Sequence, residues 1–240
     1  MNVFKNIVIV GSTGAIGSAF IQLMRETHSE AMIHCIARSN PNPSGGNITN
    51  YTLDLYDEEL LEKTAQSISE SAPIDLVLVA TGILHEDGMM PEKSLKEITA
   101  DKLIKLFTVN SVIPILCAKH FTPYMNKESS IFAALTARVG SISDNKLGGW
   151  YSYRASKSAL NMLIKTCAIE IQRTLKNTPI IAIHPGTVSS KLSEPFNQHL
   201  DPSHVFDPQT SAQHVWDIIR KTQPSDTGKV FAWDGSEINP

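Results

Sequence analysis

Short, almost uninterrupted apolar segments alternate with helical patterns along this chain, and the alternation constrains the fold more than any other feature. Strands that are apolar on both faces are typical of parallel sheets covered by helices on each side. We therefore predict one α/β domain over residues 1–240, built on a doubly wound parallel sheet of about seven strands. The predicted strands are 6–10, 32–37, 51–55, 75–80, 129–135, 179–186 and 229–235.

Helical patterns fill the spaces between these strands. They cover residues 15–27, 57–68, 98–121, 151–175 and 209–221. The third contains Pro114, which predicts a kink because proline removes a helical hydrogen bond. Residues 83–91 and 190–207 are predicted as loops that cover a substrate, and the second is long for a connection in a compact domain. Ordinary surface loops are the alternative for both.

The composition excludes several classes of function. The chain has 240 residues, 42% hydrophobic and 19% charged, with a net charge of −3, so no strong positive field is available for nucleic acid or anionic membrane. Cys35, Cys117 and Cys167 lie far apart in apolar segments, which predicts buried thiols and no metal site. No basic leader and no spanning run of about 18 apolar residues is evident. We expect a soluble cytoplasmic protein.

Three glycines mark the junction of the first strand and the first helix. Gly11, Gly14 and Gly17 stand in IVIVGSTGAIG, directly after the apolar run. Glycine allows a sharp turn and a close approach of a pyrophosphate, and the helix N-terminus offers free N–H groups. The context predicts the dinucleotide site of a Rossmann-type fold. A tight strand–helix turn without a ligand is the alternative.

The end of the second strand indicates which dinucleotide is bound. Sites for NAD carry an acidic residue about 20 residues after the glycines, to bind the ribose 2′-hydroxyl. Here Arg38 occupies that place and Ser39 follows it. A guanidinium beside a hydroxyl suits a 2′-phosphate, so we favour NADP(H) over NAD(H). A solvated surface arginine is the alternative.

Tyr153 and Lys157 are the candidate chemical groups. They are four residues apart on a predicted helix, so they share a face. A cation about 4 Å from a phenol, at an effective dielectric of about 20, is worth roughly 4 kcal/mol, or about three pKa units. The spacing therefore predicts a tyrosine whose pKa is lowered towards neutrality, where acid–base catalysis is efficient. An ordinary helix start is the alternative.

These motifs occur together in an informative order. VGSTGAIG is followed by DL at 54–55, VATG at 79–82, VN at 109–110, YRASK at 153–157 and HPGTV at 184–188. In this order and spacing the chain resembles the short-chain dehydrogenase/reductase family over essentially its whole length. It is most similar to the C-factor-like and carbonyl-reductase-like members.

The resemblance implies a role for each motif. Tyr153 would be the general acid in reduction, Lys157 would lower its pKa and hold the nicotinamide ribose, and Asn110 would anchor a water in a proton relay. Asp54 and Leu55 would contact the adenine, and Val188 the carboxamide. The implied cofactor-binding set, with Tyr153 and Lys157, is Gly11, Ser12, Thr13, Gly14, Ile16, Gly17, Arg38, Ser39, Asp54, Leu55, Ala80, Thr81, Gly82, Pro185, Gly186, Val188 and Ser190.

The catalytic serine of the family has no clear counterpart. Counting thirteen residues back from Tyr153 gives Gly140, and aligning on the glycine gives Ala137, which has no hydroxyl. Thr136 is the best hydroxyl for the role if the loop is longer, Ser141 comes behind it, and Ser143 is a further candidate. A threonine hydroxyl can donate to a carbonyl oxygen as serine does.

The first functional hypothesis is an NADPH-dependent reductase that converts a ketone or aldehyde to an alcohol. The alternative is a C-factor-like, cofactor-binding signalling or regulatory protein with weak or no turnover. An epimerase or dehydratase is disfavoured because the chain lacks the longer C-terminal part of those relatives. The long helices could also pair in a homodimer. The alternative is that Lys105, Lys119 and Lys165 keep those helix faces exposed to solvent.

Overall fold

Seven parallel strands form one sheet, which agrees with the predicted number and direction, and their order in the sheet is β3-β2-β1-β4-β5-β6-β9. The structure is a computed structural model that describes residues 4–39, 45–199 and 205–240, with only the backbone for residues 197–199. Two further short strands, β7 and β8, pair with each other outside this sheet. The strands are β1 Asn6–Val10, β2 Met32–Ala37, β3 Ile48–Thr52, β4 Leu76–Val79, β5 Ile131–Leu135, β6 Ile180–His184, β7 Thr187–Val188, β8 Val205–Phe206 and β9 Val230–Ala232.

Helices cover both faces of the sheet, and the alternation of side chains along each strand explains how. In β1, Ile7 and Ile9 pack with α1 and α6, whereas Val8 and Val10 pack with α2, α4 and α5. Both faces are therefore apolar, and the prediction of a doubly wound sheet is confirmed. The helices are α1 Ala15–Thr27, α2 Glu58–Ser69, α3 Ala100–Phe107, α4 Ile113–Phe121, α5 Tyr151–Ile171 and α6 Pro208–Ile219.

The third strand begins and ends three residues earlier than the sequence predicts. The prediction of 51–55 was wrong because Leu53 and Leu55 continue the apolar pattern beyond the end of β3. Asp54 forms a turn there, in which its carboxylate accepts the backbone N–H of Tyr56 at 3.0 Å. Local hydrogen bonding by an aspartate therefore ends the strand, while the leucines remain buried.

The predicted helix over 98–121 is interrupted before Pro114. Residues Thr108–Val112 form a π-helical turn, in which the amide of Ile113 donates to the carbonyl of Thr108. Pro114 then lies in the first turn of α4, where its missing N–H costs little. The same missing N–H deprives the Asn110 carbonyl of the donor that residue 114 would supply in an α-helix.

The continuous helical stretch Ala100–Tyr124 is long and apolar enough to cross a membrane by length and composition, with a mean hydropathy of 1.3. The sequence analysis expected no spanning run of about 18 apolar residues, and this stretch meets the criterion only by length and composition. Half of its most apolar window is buried inside the protein, as in a core helix. Length and composition are therefore weak evidence here for a membrane span.

Asp75 ties three segments together at the amino ends of β1 and β4. Its side chain is 7% exposed. One carboxylate oxygen accepts the backbone N–H groups of Lys5 and Asn6 at 2.7 and 3.0 Å. The other oxygen accepts the side-chain amide of Asn126 at 2.9 Å.

We expect Asp75→Ala to lower the free energy of unfolding by about 2–4 kcal/mol, because buried N–H donors would lose a charged acceptor. Urea denaturation followed by circular dichroism measures this change. The matched control is Asp87→Ala, an exposed acid, which we expect to change stability by less than about 0.5 kcal/mol. A loss below about 1 kcal/mol for Asp75→Ala would contradict the assignment.

Candidate active site

The order of strands reverses between β1 and β4, and their carboxyl ends lie side by side there. In open parallel sheets, ligands bind in the crevice at such a reversal. Gly11 follows β1 with φ of 84°, a left-handed conformation that favours glycine. A Cβ atom on Gly11 would lie only 2.9 Å from the carbonyl carbon of Ala80, which follows β4. The crevice therefore requires a glycine at this position.

The turn after β1 offers free backbone donors. Gly14 precedes α1, and among the described residues no side chain caps this helix start. Thr13 and Gly14 are exposed, whereas Gly17 is buried, where a Cβ atom would lie 2.3 Å from the Gly11 carbonyl oxygen. Uncapped N–H groups and the helix dipole form an anion site. These residues therefore fit the pyrophosphate of a dinucleotide.

Further groups of the predicted cofactor site border the same turn. The amide of Gly11 donates to the carbonyl of Ile36 at 2.9 Å, so the end of β2 adjoins the glycine turn, and Arg38 and Ser39 follow it, both exposed. On the other side, the Thr81 hydroxyl is buried and has no hydrogen-bond partner among the described residues. A bound cofactor would satisfy such a group.

Asp54 and Leu55, which were predicted to contact the adenine, both have structural partners within the protein. The Asp54 carboxylate holds its own turn, and the Leu55 side chain lies in the core on the face covered by α2, α4 and α5. Only an oxygen of Asp54 that remains accessible and the backbone of Leu55 are available to a ligand. The sequence did not show that these side chains have structural partners.

Tyr153 and Lys157 lie in the first two turns of α5, and both are almost completely buried. The Lys157 amine donates to the carbonyl of Leu135 at the end of β5, at 3.0 Å. It also lies beside Gly82: a Cβ atom there would be 3.6 Å from Lys157 Nζ and 3.5 Å from Asn110 Oδ1. The structure therefore brings Lys157, Gly82 and Asn110 together, as the predicted site requires.

Burial dominates the acid–base properties of the pair. It raises the pKa of Tyr153 to about 12 and lowers the pKa of Lys157 to about 7. The expectation that Lys157 lowers the tyrosine pKa is therefore wrong for this structure. Both groups lose water on burial, and desolvation disfavours the charged form of each. The amine is hydrogen-bonded to a backbone carbonyl instead of the phenol.

The Asn110 side chain connects two parts of the site. Its oxygen accepts the amide of Ile83 at 2.8 Å, and its nitrogen donates to the Ile83 carbonyl at 2.9 Å and to the Ser156 hydroxyl at 3.1 Å. The side chain is fully buried and these three bonds occupy it. The backbone carbonyl of Asn110 receives no hydrogen bond from Pro114, because proline has no N–H. This carbonyl is therefore the group of Asn110 that could hold a water.

A family model described as short chain dehydrogenase matches residues 5–201, which is most of the chain. The chain belongs to this family. As a short-chain dehydrogenase, it is an NAD(P)-dependent oxidoreductase. Among the described residues, no group of three or more His, Cys, Asp or Glu side chains could hold a metal ion.

Three known proteins illustrate the similarity. A 1-hydroxy-2-glutathionyl-2-methyl-3-butene dehydrogenase of Rhodococcus sp. is 23% identical over 97% of this chain and 98% of its own length. The C-signal protein of Myxococcus xanthus is 23% identical over 70% of this chain and 93% of its own. The NADPH-bound carbonyl reductase from chicken fatty liver has the same fold, with a TM-score of 0.83 at 20% identity and complete coverage of both chains.

The sequence analysis assigns the role of the catalytic serine to the Thr136 hydroxyl, but in the structure this hydroxyl has another partner. The Thr136 hydroxyl donates to Asn161 Oδ1 at 2.7 Å, eight residues further along α5 than Tyr153. The residue that packs against the apolar cluster around Tyr153 is Ala137. Successive side chains alternate in direction along the extended backbone after β5, so Thr136 and Ala137 face different ways.

Ser141, the second candidate hydroxyl, is also committed elsewhere. It is buried and donates to the carbonyl of Asn239 at 2.6 Å, near the end of the chain. It is therefore a structural residue in this conformation, and neither of these two hydroxyls is directed at the phenol.

The segment after β6 is held from several sides. The Pro185 carbonyl accepts the Ser211 hydroxyl at 2.9 Å, and the Val188 carbonyl accepts the Ser193 hydroxyl. Gly186 has φ of 82°, and a Cβ atom there would lie 2.6 Å from the Phe206 ring. Ser190 is partly buried at the start of the predicted substrate loop. Phe206, which the sequence analysis missed, thus presses on the glycine turn from β8.

The two predicted substrate loops meet near Tyr153, although residues 200–204 of the second lie outside the described residues. His85 Nε2 is 2.9 Å from the Lys191 carbonyl, and the rings of His85 and Phe196 are 5.6 Å apart. Trp150 packs against Phe196 and Tyr153, with ring centroids 5.0 and 6.2 Å away. The sequence analysis missed Trp150, although it directly follows the turn-forming Gly148-Gly149.

Lys157 makes the stability of the protein depend on pH. Between pH 7 and about 10.5 the unfolded chain keeps the lysine proton that the folded chain has lost, so unfolding is accompanied by proton uptake and stability rises with pH. Lys157→Met removes this titration. We expect the free energy of unfolding of the wild type to rise, relative to the variant, by about 2–4 kcal/mol between pH 7 and 10.

Urea denaturation at a series of pH values measures this difference. Loss of the hydrogen bond to Leu135 offsets the two curves but does not change their relative slope. The control is Lys165→Met, an exposed lysine on the same helix, whose curve should run parallel to that of the wild type. Parallel curves for Lys157→Met would show that Lys157 keeps its ordinary pKa.

Proposed function

We propose that this short-chain dehydrogenase uses NADPH to reduce a carbonyl group, of a ketone or aldehyde, to an alcohol. The observation that carries the proposal is the burial of Tyr153 and Lys157 together at the carboxyl edge of the sheet, with Lys157 Nζ beside Gly82. A phenol and an amine at the mouth of a dinucleotide crevice are suited to proton transfer beside a hydride donor.

The residues of this chain divide the reaction between them. The bound cofactor would supply the hydride, and Tyr153 would donate the proton to the carbonyl oxygen. Burial raises the pKa of Tyr153 to about 12, so the phenol carries the proton that reduction requires. Lys157 would bind the nicotinamide ribose, and the Asn110 carbonyl would hold a water that returns the proton.

An apolar substrate fits the walls around Tyr153. Leu84, Leu106 and Trp150 pack around the phenol, and Met89 and Phe196 extend this surface. Leu84, Met89 and Phe196 belong to loops 83–91 and 190–207, which would cover a small carbonyl compound, whereas Leu106 lies on α3 and Trp150 directly precedes α5. Exclusion of water by such walls strengthens the electrostatic interactions inside the site.

The proposed preference for NADPH rests on Arg38 and Ser39. Both are exposed directly after β2, next to the glycine turn, where the ribose of the adenosine would lie. The chicken carbonyl reductase of the same fold is described with bound NADPH. A guanidinium beside a hydroxyl can bind a 2′-phosphate by charge-assisted hydrogen bonds.

We expect Arg38→Ala to weaken NADPH binding about tenfold or more and to change NADH binding by less than about twofold, because only NADPH carries the 2′-phosphate. Fluorescence titration of the reduced nucleotides measures both affinities. Arg25→Ala, an exposed arginine in the last turn of α1, is the matched control and should alter neither. Equal losses for both nucleotides would contradict the assignment of Arg38 to the phosphate.

We expect Tyr153→Phe to lower kcat by about 10²–10⁴-fold with NADPH affinity unchanged, because the proton donor is lost and the shape is kept. The measurement is NADPH oxidation with a panel of apolar ketones and aldehydes. Tyr151→Phe, two residues earlier on the same helix and exposed, should leave kcat unchanged. Thr136→Val should lower kcat less than Tyr153→Phe, because the Thr136 hydroxyl is bonded to Asn161.

Full activity of Tyr153→Phe would exclude the proposed proton donor. A Thr136→Val variant as slow as Tyr153→Phe, yet equally stable, would show that Thr136 leaves Asn161 and reaches the substrate.

A second candidate function is a cofactor-binding regulatory protein with weak or no turnover. The observation in its favour is that Thr136 and Ser141 are both bonded elsewhere, while Ala137 lies beside the cluster of Tyr153. The C-signal protein is similar over 70% of this chain. Stoichiometric NADPH binding, without NADPH consumption over the whole carbonyl panel, would favour this function over the first.

The assembly and location are part of the proposal. Ile104 on α3 and Met162 and Ile169 on α5 are more than half exposed, and such apolar side chains could be covered in a homodimer. A net charge of −3 and three free cysteines, of which Cys35 and Cys117 are buried and Cys167 is partly buried, are compatible with the cytoplasm. Sedimentation of the purified protein tests the dimer.

A further inference from the structure

The entry to α5 has an unusual backbone conformation. Gly148, Gly149 and Trp150 have φ values of 65°, 67° and 51°, so three consecutive residues are left-handed. Among the described residues, Trp150 is the only one other than glycine with positive φ. Such a conformation costs about 1–3 kcal/mol and persists only when the surroundings hold it. Something must therefore fix the chain directly before Tyr153.

Glu92 supplies the bonds that hold this entry. Its backbone carbonyl accepts the amide of Trp150 at 2.5 Å. Its carboxylate accepts the amide of Ser152 at 3.2 Å through one oxygen and the Ser152 hydroxyl through the other. One residue thus fixes the positions on both sides of Tyr151.

Glu92 is a charged side chain with almost no access to water. It is 1% exposed, and among the described residues it forms no salt bridge. Its charge faces the N-terminus of α5, where the helix dipole and free N–H groups stabilise an anion. Burial of an ionisable side chain costs free energy unless hydrogen bonds compensate for the lost water. For Glu92 these bonds come from the first turn of the helix that carries Tyr153 and Lys157.

Two consequences follow for Tyr153. It is the next residue after Ser152, so its backbone position depends on the bonds from Glu92. Its ring also packs edge-to-face against Trp150, with centroids 6.2 Å apart and planes at 72°. Glu92 thus acts on the phenol both through the helix and through its aromatic neighbour.

We propose that Glu92 is a positioning residue for Tyr153, which holds the left-handed entry to α5 so that the phenol stands at the carbonyl oxygen. This inference rests on the proposed function as a carbonyl reductase. Glu92 follows the predicted substrate loop 83–91 directly, so it also ties that loop to the helix. Of the substrate walls described above, Glu92 bonds only to the backbone of Trp150, and its side chain bonds to Ser152.

A positioning role predicts a loss in kcat more than in binding. Displacement of a catalytic group by about 1 Å can cost about 10²-fold in rate. Proton transfer takes place only in the transition state, so the substrate KM should change little. The glycine turn after β1 is formed by other residues, so NADPH affinity should also persist.

The test compares Glu92→Gln with a matched control. Glutamine has nearly the same shape as glutamate, but its NH2 group would face the N–H and O–H groups of Ser152, which are also donors. We expect kcat to fall about tenfold or more, with KM and the NADPH dissociation constant within about twofold of wild type. Glu97→Gln, an exposed glutamate that caps Lys93 and Ser94 nearby, should change none of these values.

Two further measurements separate positioning from damage to the fold. Ser152→Ala keeps the amide and loses the hydroxyl, so its kcat should lie between wild type and Glu92→Gln. Hydrogen exchange with mass spectrometry should show faster exchange for peptides over residues 150–156 in Glu92→Gln and unchanged exchange in the sheet. Each kcat is calculated per active site, and the active sites are counted by stoichiometric NADPH binding.

The outcomes distinguish the two proposals. Normal kcat in Glu92→Gln, per active site, would overturn the positioning role while the reductase function stands. Equal losses in kcat, in substrate affinity and in NADPH affinity would also overturn it, because they indicate general disruption. If wild type oxidises no NADPH with any carbonyl compound, the proposed function fails, and the positioning role fails with it.

Discussion

The common direction of the seven strands is the constraint on which the rest of the structure depends. Because all neighbouring pairs are parallel, every strand delivers its following segment to the same edge of the sheet. The glycine turn after β1, the VATG segment after β4, the Thr136 segment after β5 and the HPGTV segment after β6 therefore converge. Residues more than a hundred positions apart form one site because their strands are in register.

Burial then decides the chemistry of the converged groups. The two faces of the sheet are covered by helices, so α5 places Tyr153 and Lys157 in an interior that disfavours charge on either. The four-residue spacing of Tyr153 and Lys157 indicates only their mutual attraction and not the loss of water around them. In the structure the amine reaches the Leu135 carbonyl, and desolvation outweighs that attraction. Burial therefore favours the neutral form of both side chains.

Features set by local sequence could be predicted. The strands β1 and β2 and the helix α1 have the predicted bounds, because an apolar β-branched run, a glycine turn and an amphipathic pattern each act within a few residues. The prediction for β3 was wrong because the turn at Asp54 competes with the apolar pattern. The π-turn around Asn110 was missed, although Pro114 in the sequence predicted a kink close to it.

Features set by distant partners could not be predicted. Glu92 meets Ser152 across 60 residues, and Thr136 meets Asn161 across 25. Nothing in the neighbourhood of either residue in the sequence indicates its partner. Motif order located the site, but the assignment of each hydroxyl and carboxylate needed the fold.

The choice between the two candidate functions depends on a single quantity, the stabilisation of charge on the carbonyl oxygen. Loss of one preorganised donor typically costs about 10²–10³-fold in rate. Tyr153 offers one hydroxyl, while Thr136 and Ser141 are bonded elsewhere and Ala137 has none to give. A carbonyl that is already electron-poor needs less of this help than an unactivated ketone. The chemistry of the substrate, more than the fold, therefore decides whether this site turns over or only binds.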